Sequence, residues 1–271
     1  MRKFALHQIT AIELPPDELI RLAAEVGCDR VCVFVRSPLV VSETSGREEH
    51  LFPTITVASV ETVRQALDET GGSIMNIEYF PIEDGVDLET YRDALALGAS
   101  LGAERIVTHM HETDPELGRK RLGLLCDMAA EFGLKVGLEF MGLSPGCNSI
   151  AMAQEIVADV ARPNLGIAID ALHLARTGGT IRQVADLPPS MIAYAQLCDG
   201  EHLRTSNDYL PEAMDRMLPG TGVFPLRELV AALPDDTPYD VEVPGERLRE
   251  SGVDAKQRAQ WAVEACAKLF K

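Results

Sequence analysis

Residues 135–170, KVGLEFMGLSPGCNSIAMAQEIVADVARPNLGIAID, contain one complete strand–helix–strand unit. KVGLEF (135–140) and LGIAID (165–170) are apolar runs bounded by turn residues and too short for helices, so they read as buried strands. Between them Ser149 opens a stretch of 3.6-residue periodicity that runs to Val160 and is closed by Pro163. The same theme repeats outward. FALHQI (4–9), RVCVFV (30–35), IMNIEYF (74–80) and RIVTHMH (105–111) precede the unit, and IAYAQLC (192–198) and YDVEV (239–243) follow it. Eight strands result.

Plausible helices fill the intervals. Pro15-Pro16-Asp17 starts the first, whose stripe of Leu19, Leu22, Ala23 and Val26 ends at Gly27. Others cover Val57 to Thr70, Asp87 to Gly102, Asp114 to Gly133, Pro225 to Leu233 and Asp254 to Phe270, and a weaker one, from Ile181 to Met191, is interrupted by Pro188-Pro189. Alternating strands and helices imply parallel strands joined by right-handed crossovers. Eight units of about 34 residues match a (β/α)₈ barrel in size. An open doubly wound sheet would carry a Gly-x-Gly-x-x-Gly turn after its first strand, and none stands there. Neither a linker nor a low-complexity run divides the chain, so one α/β barrel over residues 1–271 is expected.

Composition narrows the function. The 271 residues hold 25 Lys+Arg against 42 Asp+Glu, a net charge of −17 that opposes binding to phosphate backbones and anionic lipid. No long apolar run suggests a membrane span or a signal peptide, so a soluble cytoplasmic protein is expected, without nucleic-acid or membrane partners. Six scattered cysteines read as buried hydrophobes, with Cys198 singled out only because it stands at a strand end.

Such barrels place their chemistry at the C-terminal ends of the strands. There the sequence offers Glu139 in LEF, Asp170 and His173 in IDALH, Gln196 and Asp199 in AQLCDG, and Glu242 in VEVP. Each lies in an apolar strand end where an unpaired carboxylate is costly, and the strand ends supply no Lys or Arg as counter-charge. A bound cation answers that need. Three carboxylates and an amide oxygen form a hard donor set, which favours Mn²⁺ or Mg²⁺ over Zn²⁺. His109 and His111 share one strand face by period two. His109, Glu78 and His7 are candidates to line the site and touch substrate, as is Arg204 for an anionic group. The long loop from Ser37 to Thr56, with Arg36, Arg47, His50 and Phe52, reads as a lid or an oligomer contact. A homodimer stays open, since no helix carries a decisive exposed apolar stripe.

LEF, PNLGIAIDALH, YAQLCDG, the PGTG of residues 219–222 and VEVP together resemble the sugar phosphate isomerase/epimerase family with the xylose isomerase-like barrel. The likeness follows the order of elements along the chain, and its specific motifs lie within 136–244. It implies one divalent metal held by Glu139, Asp170, Gln196 and Glu242, with His173 binding substrate. It also implies Glu139 and Glu242 as the catalytic pair, working through an enediolate beside a carbonyl polarised by the metal. Many members carry His where this chain has Gln196; hydroxypyruvate isomerases and some 3-dehydroshikimate dehydratases are similar to it in having Gln. The expected activity is therefore isomerisation or epimerisation of a small hydroxy-carbonyl compound, with dehydration of a 3-dehydroshikimate-like substrate as the alternative. A non-catalytic metabolite-binding barrel is the remote one. Related barrels that cut abasic DNA fit poorly, given the charge of −17 and the lack of a histidine-rich multi-zinc pattern.

Overall fold

The computed structural model describes residues 4–41 and 48–271. Eight parallel strands close into a barrel: β1 (Phe4–His7), β2 (Arg30–Phe34), β3 (Ser73–Glu78), β4 (Arg105–His109), β5 (Lys135–Glu139), β6 (Leu165–Asp170), β7 (Ile192–Leu197) and β8 (Tyr239–Val241). They follow one another around the ring in chain order, and β8 closes against β1 through Phe4↔Tyr239 to Leu6↔Val241. All eight expected strands are present, most ending one or two residues early. β1, for example, stops at His7 because the chain turns into a 3₁₀ helix (Gln8–Ala11) that His7 caps, its Nδ1 accepting from the Ile9 N–H at 3.1 Å.

Helices form where capping residues precede apolar periodicity. They are α1 (Pro16–Glu25), α2 (Val60–Thr70), α3 (Arg92–Ser100), α4 (Pro115–Glu131), α5 (Ile150–Val160), α6 (Ala171–Arg176), α7 (Ile181–Ala185), α8 (Leu210–Met214), α9 (Leu226–Ala232), α10 (Glu246–Glu250) and α11 (Ala255–Leu269). Asp114 caps α4 by accepting from the Glu116 and Leu117 amides, and Ser149 and Asp254 cap α5 and α11 in the same way. Gly71 ends α2 with φ +65°, a left-handed conformation that glycine adopts without strain.

Three short helices, α6, α8 and α10, are additions to the sequence reading, as is an antiparallel ribbon pairing Leu39–Val41 with Glu48–His50 inside the expected loop. Arg47 lies outside the described residues. The weak segment from Ile181 splits into α7 and a 3₁₀ turn at Pro189–Met191, since Pro188 and Pro189 cannot continue a helix.

Apolar side chains on the outer faces of the strands pack against the helices as one large core. The bore of the barrel is filled differently. Ala5, Cys32, Val107 and Ala168 line it with small side chains, and Tyr194 enters from β7. A Cβ on Gly137 would stand 2.9 Å from Tyr194 Cε1 and 3.3 Å from Arg105 Cδ, so this glycine makes the space that the two larger side chains occupy. Arg105 donates to Asn76 Oδ1 at 2.9 Å and lies 5.3 Å from the Tyr194 ring centre. The bore is thus closed below its C-terminal mouth.

Candidate active site

The layer above this plug gathers the inward residues at the strand ends, because side chains two apart on a strand share a face. Pairing His109↔Glu139 and Asp170↔Gln196 sets these side chains next to one another. Asp170 has two duties. It ends β6 and also caps α6, its Oδ1 accepting the His173 N–H at 3.0 Å.

Every carboxylate oxygen of the central trio faces a donor. Glu139 Oε2 lies 2.9 Å from His109 Nε2, and its Oε1 lies 3.3 Å from His173 Nε2. Asp170 Oδ2 accepts from Arg216 Nη1 at 2.6 Å, and Glu242 Oε1 from Arg216 Nη2 at 2.8 Å. The second Glu242 oxygen accepts from Gln196 Nε2. Gln196 Oε1, by contrast, is buried with no hydrogen-bond partner. Across the mouth His7 Nε2 and Glu78 Oε1 pair at 2.7 Å.

Six of the predicted residues therefore meet around two connected clusters, and His7 and Glu78 form a third pair nearby. Arg204 does not join them. It lies on the loop after β7 with its side chain 64% exposed, and it donates to Glu212 Oε1 at 2.8 Å. That loop, Arg216 and the α10 residues Glu246, Arg247 and Glu250 line a cavity of about 450 Å³, which Glu139, Asp170 and Glu242 do not line.

Arg216 is the residue that the sequence reading missed. It supplies the counter-charge that the strands lack, from irregular chain between α8 and the PGTG turn. Asp199 braces that turn by accepting the amides of Gly220 and Phe224 at 2.8 and 2.9 Å. Cys198 is a buried thiol, and burial pushes its pKa up, away from nucleophilic use.

Electrostatics separates the two glutamates. Burial alone would raise Glu139, but its hydrogen bonds to His109 and His173 hold it well below the usual carboxylate range. Burial raises Glu242 to about 8, aided by the Asp170 and Glu139 charges and opposed by Arg216 and His7. One carboxylate is thus set to stay ionised and the other to hold a proton near neutrality. A second acidic group, Asp240, lies one layer deeper on β8 and is pushed up to about 7, mainly by burial.

His7 follows the opposite sense. Burial lowers it, but Glu78, Glu242 and Asp240 outweigh burial and carry it up to about 10. A histidine raised above its unfolded value of 6.5 contributes stability that is complete below pH 6.5 and lost as pH rises towards 10. Denaturant unfolding at pH 6, 8 and 10 should show a steeper decline with pH in the wild type than in His7→Gln, by about 3–5 kcal/mol over that span. The raised Glu242 and Asp240 account for the decline that remains in the variant, and equal declines in the two proteins would assign the loss elsewhere.

Carboxylate and imidazole groups in this layer also meet the distances of a cation site: one donor atom each from Glu139, Asp170 and His173 lies within 4.8 Å of the others. Among the described residues no helix is long and apolar enough to cross a membrane.

Known proteins share this arrangement of elements. A crystal structure of the IolI protein with a bound zinc atom superposes with a TM-score of 0.80 at 17% identity, covering 99% of this chain and 98% of that one. Inosose isomerase from Halalkalibacterium halodurans is 32% identical over 111 residues, 40% of this chain and 38% of that protein. A 3-dehydroshikimate dehydratase from Pseudomonas aeruginosa is 31% identical over 119 residues, 44% of this chain but 18% of that protein. The aligned stretches thus span well under half of either relative. The broader match is to the family itself, over residues 20–269, and with the closed ring of parallel strands and its acidic mouth it shows that the chain belongs to the xylose isomerase-like TIM barrel family.

Proposed function

We propose that the protein is a divalent-metal-dependent isomerase or epimerase of a small cyclic hydroxyketone, using Mn²⁺ or Mg²⁺ held by Glu139, Asp170, Gln196 and Glu242. The observation that carries this reading is Gln196 Oε1, a buried acceptor left without a partner beside three converging carboxylates. A hard cation suits that all-oxygen set, and its charge would offset the acidic groups that a single guanidinium now neutralises. When bound, the cation supplies Lewis-acid polarisation of the substrate carbonyl.

The chain's own residues perform the proton transfers. Glu139, ionised, removes the proton from the carbon beside the carbonyl; that C–H electron pair becomes the new C=C bond and the carbonyl π pair moves onto its oxygen, giving an enediolate. Glu242 relays the proton that returns at the neighbouring carbon or on the opposite face. His173 holds a substrate oxygen from the α6 side. Aromatic rings of Phe34 and Phe52, 4.9 Å apart, and Tyr79 beside His109 line the β2–β4 side and suit the carbon face of a ring. Inosose and 3-dehydroshikimate are both six-membered rings with a ketone beside hydroxyl-bearing carbon, which supports the same substrate class. Where a hydroxyl lies β to the carbonyl, the proton on Glu242 can leave with it as water, so a dehydratase is the second reading. We place the activity in cytoplasmic carbohydrate metabolism.

The test is incubation of Mn²⁺-loaded, Mg²⁺-loaded and chelator-treated protein with inosose and with 3-dehydroshikimate in D₂O. Deuterium should appear at the carbon beside the ketone only with metal present, while growth of aromatic absorbance would select the dehydratase. Failure to bind either metal, with no exchange on either ketone, would overturn the enzyme reading in favour of a metabolite-binding barrel.

A further inference from the structure

The loops after β5 and β7 meet at one point directly behind His173. Gly142, from the first loop, donates its N–H to the Tyr209 hydroxyl at 2.9 Å, and that hydroxyl lies 2.8 Å from His173 Nδ1. Tyr209 is 1% exposed and His173 3%, so no solvent competes for these groups. The approach is close: a Cβ on Gly142 would stand 3.0 Å from both Ser206 O and Tyr209 Cε1. On its far side the imidazole directs Nε2 at Glu139 Oε1, 3.3 Å away.

Only one arrangement of hydrogens satisfies this chain for a neutral ring. Since the phenol oxygen already accepts from Gly142, its own hydrogen is free to go to Nδ1, which leaves the ring proton on Nε2, facing a carboxylate. The opposite tautomer would set a bare Nε2 lone pair against the ionised Glu139. We propose that Tyr209 is a positioning residue that fixes His173 as the Nε2–H tautomer, making it a hydrogen-bond donor to Glu139 and to substrate oxygen rather than a metal ligand. The inference rests on the proposed role of Glu139 for its consequence in turnover, but not for the tautomer itself. It also chooses between the two donor sets that the geometry allows, because a nitrogen carrying hydrogen cannot bind a cation. The β7 loop therefore completes the site without touching the reacting atoms.

The test is ¹⁵N NMR of the histidine side chains, assigned through His173→Gln, on wild type, Tyr209→Phe and Gly142→Ala. In the wild type, with and without Mg²⁺, Nδ1 of His173 should give a pyridine-like shift and Nε2 a pyrrole-like one. In Tyr209→Phe the single tautomer should be lost, turnover should fall about 10–100-fold, and Mg²⁺ affinity should hold, because the Tyr209 hydroxyl bonds Gly142 and His173 and no proposed metal ligand. A proton on Nδ1 in the wild type, a doubly protonated ring, or an unchanged tautomer in a folded Tyr209→Phe would each overturn the proposal. Gly142→Ala should reproduce the tyrosine effect by parting the loops. The wild-type spectrum decides even if neither variant folds, and a wild type that binds no metal while keeping the Nε2–H form would fail the functional reading alone.

Discussion

Arg216→Met should lower the stability of the metal-free protein by about 3–5 kcal/mol, the usual result of removing one partner from a buried ion pair. Its guanidinium is 3% exposed and bridges Asp170 and Glu242, themselves buried, so methionine fills the volume and leaves two carboxylates without their cation. For a chain of this length the loss corresponds to a fall of about 10 °C in Tm. It should be smaller at pH 6 than at pH 9, because Glu242, at about 8 even beside Arg216, can take up a proton to relieve the repulsion. Added Mn²⁺ should raise the Tm of the variant more than that of the wild type. Calorimetry with and without metal checks both points, and a variant as stable as the wild type would remove Arg216 from the charge balance.

Glu139→Gln should reduce proton exchange on the ketone by about 10³-fold or more, near the upper range for loss of a general base. The amide keeps the shape but can no longer accept from both His109 and His173, so one histidine N–H is left facing an NH₂ group. Glu242→Gln should fall comparably, by losing the proton donor. Isothermal titration with Mn²⁺ should show weakened binding in both variants. Unaltered metal affinity in both would separate these glutamates from the metal, and unaltered exchange would separate them from the chemistry.

Much of this arrangement is legible in the sequence, for identifiable reasons. β6 is recognised at its observed bounds because LGIAID is a continuous apolar run that stops at a capping aspartate. Glu139, Asp170 and Glu242 stand out because strand ends in a barrel of this kind converge, so local reading suffices to bring them together. Asp240 was within reach of the same logic, since period two from Glu242 places it on the inner face, and Arg105 follows from His109 in the same way. Arg216 and Tyr209 carry no such signal. Both lie in irregular chain flanking α8, after β7, where an arginine or a tyrosine looks like any surface residue until the loop is folded. Arg204 illustrates the converse: its position after a strand suggested the site, but Glu212 within hydrogen-bond reach holds it at the rim.

Among the described residues, the plug of Tyr194 and Arg105 closes the bore on the inner side of the site. A fully buried ring with a guanidinium packed over it bars a compound at the carboxylates from leaving through the barrel. Tolerance for added bulk is therefore one-sided: a tether on the inward edge of a ligand would meet Tyr194, whereas one on the edge facing the loops would extend into solvent. An immobilised ligand or fluorescent tracer for this protein has to be built from that outer edge.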